Sequence, residues 1–209
     1  MEEICHSNAD GGGSNPARPL EFRRCELKEV ASFVKKYHYS HSHPGAVDYS
    51  FRLDTNGVLS GVALFGYSAG NPKAVLHPSI TVHEQRELVR LVLLDCVPNN
   101  SETQFVGWCL RWLRKNTKIR CIVSFADPAY GHVGTIYKAG NWKYVGLQKQ
   151  DRPRIIVDGL EVHPKSAYNR YGTSSVDGIQ KMGHAVSLRH RVPKHKFLYF
   201  LDRSLNTTP

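Results

Sequence analysis

Ser124, Asp127, His132 and Tyr137 place a hydroxyl, a carboxylate, an imidazole and a phenol within one short segment. A carboxylate can take a proton from a poor nucleophile, and a phenol can return one to a leaving group. Asp127 therefore suits a general base or orienting group, and Tyr137 a general acid. The same residue types also serve structure, because Asp127 can cap a helix and Tyr137 can fill a core.

A second group is His38-Tyr39-Ser40-His41-Ser42-His43-Pro44. His38, His41 and His43 offer imidazoles to a divalent metal, with Asp127 as an oxygen ligand. They equally suit a surface loop, and His38 or Tyr39 can position a substrate without any metal. Arg90 interrupts the apolar run ELVRLVLLDCV and needs an anionic partner there. A carboxylate such as Glu87 or Asp95 would serve, and so would an anionic ligand. Ser101 opens a helix whose terminal N–H groups can meet an anion.

The surrounding pattern supplies the elements that must hold these groups. Leu27, Val30, Ala31, Phe33 and Val34 recur at helical spacing within 26–37. Segments 49–54 and 58–67 flank Asn56-Gly57, a hairpin signal. Segment 87–97 reads as a buried strand. Ser101 with Gln104 has the form of a capping box before an amphipathic helix that ends near Asn116. A second buried strand over 119–125 leads into the Asp127 loop, a short helix over 133–139 and a strand from Asn141. Strands are also expected at 154–157 and 196–201. This order predicts an α/β fold with a mixed central sheet flanked by helices. Ligands then sit beyond the carboxyl ends of the strands, after Asp95 and after Phe125.

The chain has 28 Lys and Arg against 18 Asp and Glu, a net charge of +10. Residues 141–209 hold 12 basic and 5 acidic side chains, so +7 of that charge lies in the last third. Such a segment favours a polyanionic partner through counterion release. Lys143, Arg189, Arg191, Lys194 and Lys196 are the expected contacts to such a polyanion. Trp142, Tyr144, Tyr168, Tyr171, Phe197 and Tyr199 lie among them, a mixture that suits base stacking and also suits a half-buried sheet. Five cysteines without C-x-x-C spacing argue against a disulfide framework and a structural zinc site. No apolar run is long enough to span a bilayer and no signal peptide is visible, so a cytoplasmic protein is expected. Residues 1–19 read as a flexible tail, 20–204 as one domain and 205–209 as a flexible terminus.

The segment SFADPAYGHVGTIYKAGNW, from Ser124 to Trp142, resembles the signature segment of the Mom family of phage DNA-modification proteins. Phe33 with His38-Tyr39-Ser40-His41, Gly61-Val62 with Phe65-Gly66, Glu87-Leu88 with Arg90-Leu91, and the Ser101-Glu102 helix start extend the resemblance over most of 30–146. The resemblance implies a GNAT-like acyltransferase fold. It also implies conversion of adenine in DNA to N6-carbamoylmethyladenine, which protects phage DNA from host restriction enzymes. It assigns functional roles to His38, Tyr39, Arg90, Ser101, Ser124, Asp127 and Tyr137, with Arg90 and Ser101 on the donor side, and it associates the histidine loop with iron.

GNAT enzymes cradle the coenzyme A diphosphate in a glycine-rich loop with Arg or Gln, whereas Val97-Pro98-Asn99-Asn100-Ser101 has neither glycine nor arginine. The resemblance then implies a donor that is a coenzyme A thioester or another activated glycine-like compound, and double-stranded DNA as the acceptor. Two other functions fit parts of the pattern. A coenzyme A-dependent N-acetyltransferase of a small amine or protein would need that diphosphate site. A non-enzymatic DNA-binding protein would not need the polar cluster at the strand ends.

Overall fold

Asn56 and Gly57 both adopt left-handed backbone, with φ of 54° and 76°, and close a tight hairpin. They join β2 (Val47–Thr55) to β3 (Val58–Gly66) in antiparallel register. The structure is a computed structural model that describes residues 19–41, 44–68, 75–148, 153–162 and 164–207. The expected tail lies outside the described residues except for Pro19.

β1 (Leu20–Cys25) pairs antiparallel with β2, and β4 (Gln85–Leu93) pairs antiparallel with β3. β5 (Cys121–Ala126) then runs parallel to β4. With β6 (Lys143–Gln148) and β10 (Lys194–Phe200), these strands form a seven-stranded sheet in the order β1-β2-β3-β4-β5-β10-β6. The mixed, mostly antiparallel sheet and its flanking helices agree with the expected α/β class.

Helix α1 (Leu27–Tyr37) buries Val30, Phe33 and Val34 in one cluster with Val62 and Leu64 of β3. Helix α2 (Ser101–Asn116) buries Phe105, Cys109 and Leu113. Phe22 stacks on Phe105 with centroids 5.5 Å apart, and Phe51 meets Trp108 and Trp112 edge-on. Two glycines of β3 are needed for closeness. A Cβ on Gly66 would strike the Ala46 carbonyl, and one on Gly61 would lie 2.9 Å from Leu93 Cγ.

The chain divides into two compact units. The first comprises residues 1–124, 135–144 and 197–209, and the second 125–134 and 145–196. In the second, β7 (Arg154–Val157) is flanked by β8 (Leu160–Val162) and β9 (Val186–Arg189), both antiparallel to it. Ile155 and Val157 share a core with Ala167 of α4 (Pro164–Tyr171) and Ile179 of α5 (Val176–Gln180).

Several boundaries differ from expectation. β4 ends at Leu93 rather than Val97, because Val97 N–H turns back to the Leu94 carbonyl. The residue at the start of α2 is Asn100, with left-handed backbone and no capping side-chain bond, so Ser101 and Gln104 form no capping box. The Ser101 hydroxyl donates instead to the Pro98 carbonyl at 2.6 Å. A 3₁₀ turn at Arg203–Thr207 buries Leu205, beyond the point where the sequence pattern ends.

Candidate active site

The parallel strands β4 and β5 pair over only three positions, from Gln85–Cys121 to Glu87–Val123. Just past the last pair, Ser124 Oγ bridges the gap to the Leu88 carbonyl at 3.2 Å. A bulge in the β3–β4 ladder sets Leu88 opposite Phe65 and Arg90 opposite Leu64, leaving Val89 as the extra residue. Bulges of this kind re-aim the side chains that follow. Arg90 is half-buried there, and its guanidinium donates to the Val89 carbonyl at 2.7 Å.

Helix α3 (Thr135–Ala139) brings Tyr137 to the same place. The Tyr137 hydroxyl lies 2.8 Å from Ser124 Oγ, and both side chains are buried. Burial pushes the Tyr137 phenol up to about 12; the Ser124 hydrogen bond works against this, while Tyr39 and Glu87 add to it. The ring lies 5.0 Å from both Trp142 and Phe197, so the phenol has an apolar wall. The Tyr137 ring thus fills core space, as the structural reading expected, while its hydroxyl remains in a polar contact.

His38 follows α1 and is buried, 5% exposed, with its ring 4.2 Å from that of half-exposed Tyr39. Its Nδ1 accepts the Ser40 backbone N–H at 3.1 Å and lies 2.8 Å from Ser40 Oγ. An Nδ1 that accepts leaves the proton of the neutral ring on Nε2. Ser40 was not among the candidate residues; its place two positions after His38 was the available signal. His41 has left-handed backbone, and its Nδ1 lies 3.3 Å from the Lys35 carbonyl.

His38 would have to reverse its tautomer to ligate iron through Nε2, whereas His41, with Nδ1–H toward the Lys35 carbonyl, keeps an Nε2 lone pair. His43 lies outside the described residues. Among the described residues, no group of three or more His, Cys, Asp or Glu side chains is disposed to hold a metal.

The turn before α2 fits a coenzyme A diphosphate no better. The Ser101 hydroxyl is committed to Pro98, and the acidic residue in the helix's first turn is Glu102. A carboxylate beside the helix start opposes a diphosphate there. The turn does not reproduce a glycine-rich diphosphate cradle.

The second unit holds Asp127. Its Oδ1 accepts the Ala129 N–H at 3.1 Å, capping a 3₁₀ turn over Pro128–Tyr130, as the structural reading expected. Its Oδ2 lies 2.8 Å from Lys194 Nζ in a largely shielded ion pair. Lys194, expected on DNA, is thus also the partner of the candidate base. Arg189 is exposed, while Arg191 and Lys196 are half-buried. Lys143, in the first unit, is exposed at the start of β6. Arg154 and Glu161, which sequence reasoning passed over, lie beside Arg189: Arg154 faces it across the ladder and Glu161 pairs with both. No helix among the described residues is long and apolar enough to cross a membrane.

Comparison with known proteins agrees with this picture. The model of the Mom protein family matches residues 19–209. The chain is 25% identical over 196 residues to the methylcarbamoylase Mom of Escherichia phage Mu, covering 92% of this chain and 79% of that protein. Its fold is similar to that of a GNAT-family acetyltransferase from Desulfovibrio desulfuricans, with a TM-score of 0.53 at 9% identity over 88% of this chain and 99% of the other. An acetyltransferase from Salmonella typhimurium, solved with its cofactor acetyl-CoA, gives 0.51 at 10% identity over 88% and 95%. Identities this low speak to fold alone, and the fold is that of the GNAT acetyltransferases.

Proposed function

We propose a function from one premise: this chain belongs to the Mom protein family. It is a transferase that places a carbamoylmethyl group on N6 of adenine in double-stranded DNA, and the modified DNA resists host restriction endonucleases. The relative in phage Mu carries the name methylcarbamoylase, which supports a one-carbon-linked amide as the transferred group. The observation that carries the reading is the buried Ser124–Tyr137 hydroxyl pair, seated where β4 and β5 stop pairing.

The chemistry needs two proton movements. The bond from N6 to the donor's methylene carbon forms, and the bond from that methylene to its leaving group breaks. The adenine amine is conjugated with its ring and is a poor nucleophile, so its proton must pass to a base. Asp127 is our candidate. Tyr137 is the acid for the leaving group, since burial keeps its proton in place through the neutral range.

Ser124 makes that donation reversible. Its single hydroxyl proton can go to the Leu88 carbonyl or to the Tyr137 oxygen, but not to both. At rest Tyr137 donates to Ser124 and Ser124 to Leu88. When Tyr137 gives up its proton, Ser124 turns its own toward the phenolate and stabilises it. His38, with Nε2–H as a donor, and Tyr39 serve the substrate. Arg90 serves the donor, an activated acetamide whose leaving group sits on the methylene carbon, so that the methylene rather than a carbonyl is delivered to N6.

Nucleosides digested from plasmid DNA of expressing cells, measured by mass spectrometry, test the reading. Wild-type protein should yield a deoxyadenosine adduct heavier by a carbamoylmethyl group, and Tyr137→Phe should yield little. Unmodified DNA from cells that also carry the donor-making functions of a permissive host would sink the proposal.

A further inference from the structure

Arg154 on β7 and Arg189 on β9 are direct cross-strand partners. Like charges opposite one another destabilise an antiparallel pair, so this placement calls for a compensating negative group. Glu161 on β8 supplies one, with its carboxylate 3.1 Å from Arg154 Nε and 3.9 Å from Arg189. Strand alternation sets Arg154, Glu161 and Arg189 on one face of the small sheet. Ile155 and Val157 turn the other face to the core shared with Ala167 and Ile179.

The loop after β9 extends this cluster. Arg191 is half-buried; burial and the nearby Arg154 hold its guanidinium below its usual range, while Glu161 and Asp127 act the other way. It therefore stands within electrostatic reach of both the Glu161 group and Asp127, whose carboxylate is paired with Lys194. Four cationic side chains gather around two carboxylates. Their exposure is graded, from Arg189 with a side chain 70% exposed to Lys194 at 28%. A purely structural ion network gains by approaching neutrality, and among the described residues this one keeps a positive excess.

We propose that Arg154, Arg189, Arg191 and Lys194 clamp a backbone phosphate of the DNA strand beside Asp127, with Glu161 holding the guanidiniums in place until the phosphate arrives. The proposal rests on DNA being the substrate, and it names the surface that holds it. Guanidinium forks match phosphate oxygens two at a time. A cluster of cations with graded exposure suits a polymer more than a compact small-molecule diphosphate.

The test measures binding of the full-length chain to a fluorescein-labelled, adenine-containing duplex by anisotropy across a series of NaCl concentrations. Arg154→Gln and Arg189→Gln should each weaken binding and lower the slope of log K against log salt by about 1. Glu161→Gln should tighten binding, an effect that partial unfolding cannot produce. Wild-type slopes in both arginine variants, together with unchanged affinity in Glu161→Gln, would overturn the clamp while leaving DNA modification intact. Arginine variants that keep the DNA slope but lose coenzyme A binding by calorimetry would also overturn it, and would assign the cluster to a small-molecule diphosphate. A wild-type chain that binds no duplex at all would remove the clamp and the proposed substrate together.

Discussion

The Ser124 hydroxyl stands 2.8 Å from the Tyr137 phenol and 3.2 Å from the Leu88 carbonyl, with one proton to share between them. Because Tyr137 is buried, whichever of its forms carries charge must be stabilised by this neighbour rather than by water. The pair joins α3 to the point where β4 and β5 separate. Either residue alone has an ordinary structural explanation, a core tyrosine and a strand serine. Their contact at that position is what distinguishes them.

Removing the phenol hydroxyl should therefore harm chemistry more than folding. Tyr137→Phe keeps the ring against Trp142 and Phe197, and we expect adenine modification to fall by roughly 10²–10⁴-fold, the range of a lost general acid. Ser124→Ala should cost less, because the phenol remains. The double variant should be no worse than Tyr137→Phe alone, since Ser124 acts through the phenol. The adduct-to-adenosine ratio from digested DNA measures all three.

The same burial has a pH signature in stability. The folded-state phenol titrates at about 12 against an ordinary value of 10.0. The unfolded chain thus loses its proton first as pH rises, and folding weakens from about pH 10 up to about pH 12. No contribution remains below that window, where both states are protonated. The full loss is roughly 3 kcal/mol at about 1.4 kcal/mol per unit. Chemical denaturation across this range should show a steeper decline for wild type than for Tyr137→Phe, and parallel curves would refute it.

The fold and the site were legible in the sequence to different degrees. The hairpin at Asn56-Gly57 and the helix over 101–116 announce themselves through turn chemistry and apolar periodicity, and both stand as expected. The short strands β8 and β9 and the single-turn helix α5 carry too few residues for a period to register. Arg154 and Glu161 went unnoticed for that reason: their partnership is made by cross-strand register, which spacing along the chain does not reveal. The types at Ser124, Asp127 and Tyr137 were readable, but the hydrogen bonds that divide them into a hydroxyl pair and an Asp127–Lys194 ion pair were not.

Metal removal discriminates sharply, because the histidine loop invites a metal reading that the tautomer of His38 opposes. With Nδ1 accepting from Ser40, Nε2 carries the proton and cannot ligate without breaking that bond. Dialysis of the purified protein against a strong iron chelator should leave its melting temperature and DNA affinity unchanged. Elemental analysis should find less than stoichiometric iron before dialysis. A shift in melting temperature that added ferrous ion restores would establish a resident metal.

Gly66 tests the close approach within the sheet. A side chain there meets the backbone oxygen of Ala46 rather than a flexible group that can move aside. Gly66→Ala should destabilise by about 1–3 kcal/mol or more, as overpacking against an unyielding neighbour does. Gly57, at φ 76° with open space around it, should respond through backbone strain alone and lose about 1 kcal/mol on replacement by Ala. Equilibrium denaturation of the two variants ranks them, and equal losses would argue against the Ala46 contact.

The Asp127–Lys194 pair separates a catalytic carboxylate from a structural one. Removing either partner strands the other, so Asp127→Asn and Lys194→Met should each destabilise, with a coupling energy of about 1–3 kcal/mol in the double variant for a largely shielded pair. Stability alone treats the two residues alike. Activity does not, if Asp127 takes the proton from N6: Asp127→Asn should abolish modification at temperatures where it remains folded. Lys194→Met should retain measurable modification once DNA is raised to offset the lost phosphate contact. Equal loss of activity in both, tracking stability, would reduce Asp127 to a cap on the Pro128–Tyr130 turn and a partner for Lys194. The proton from N6 would then have to pass to another base.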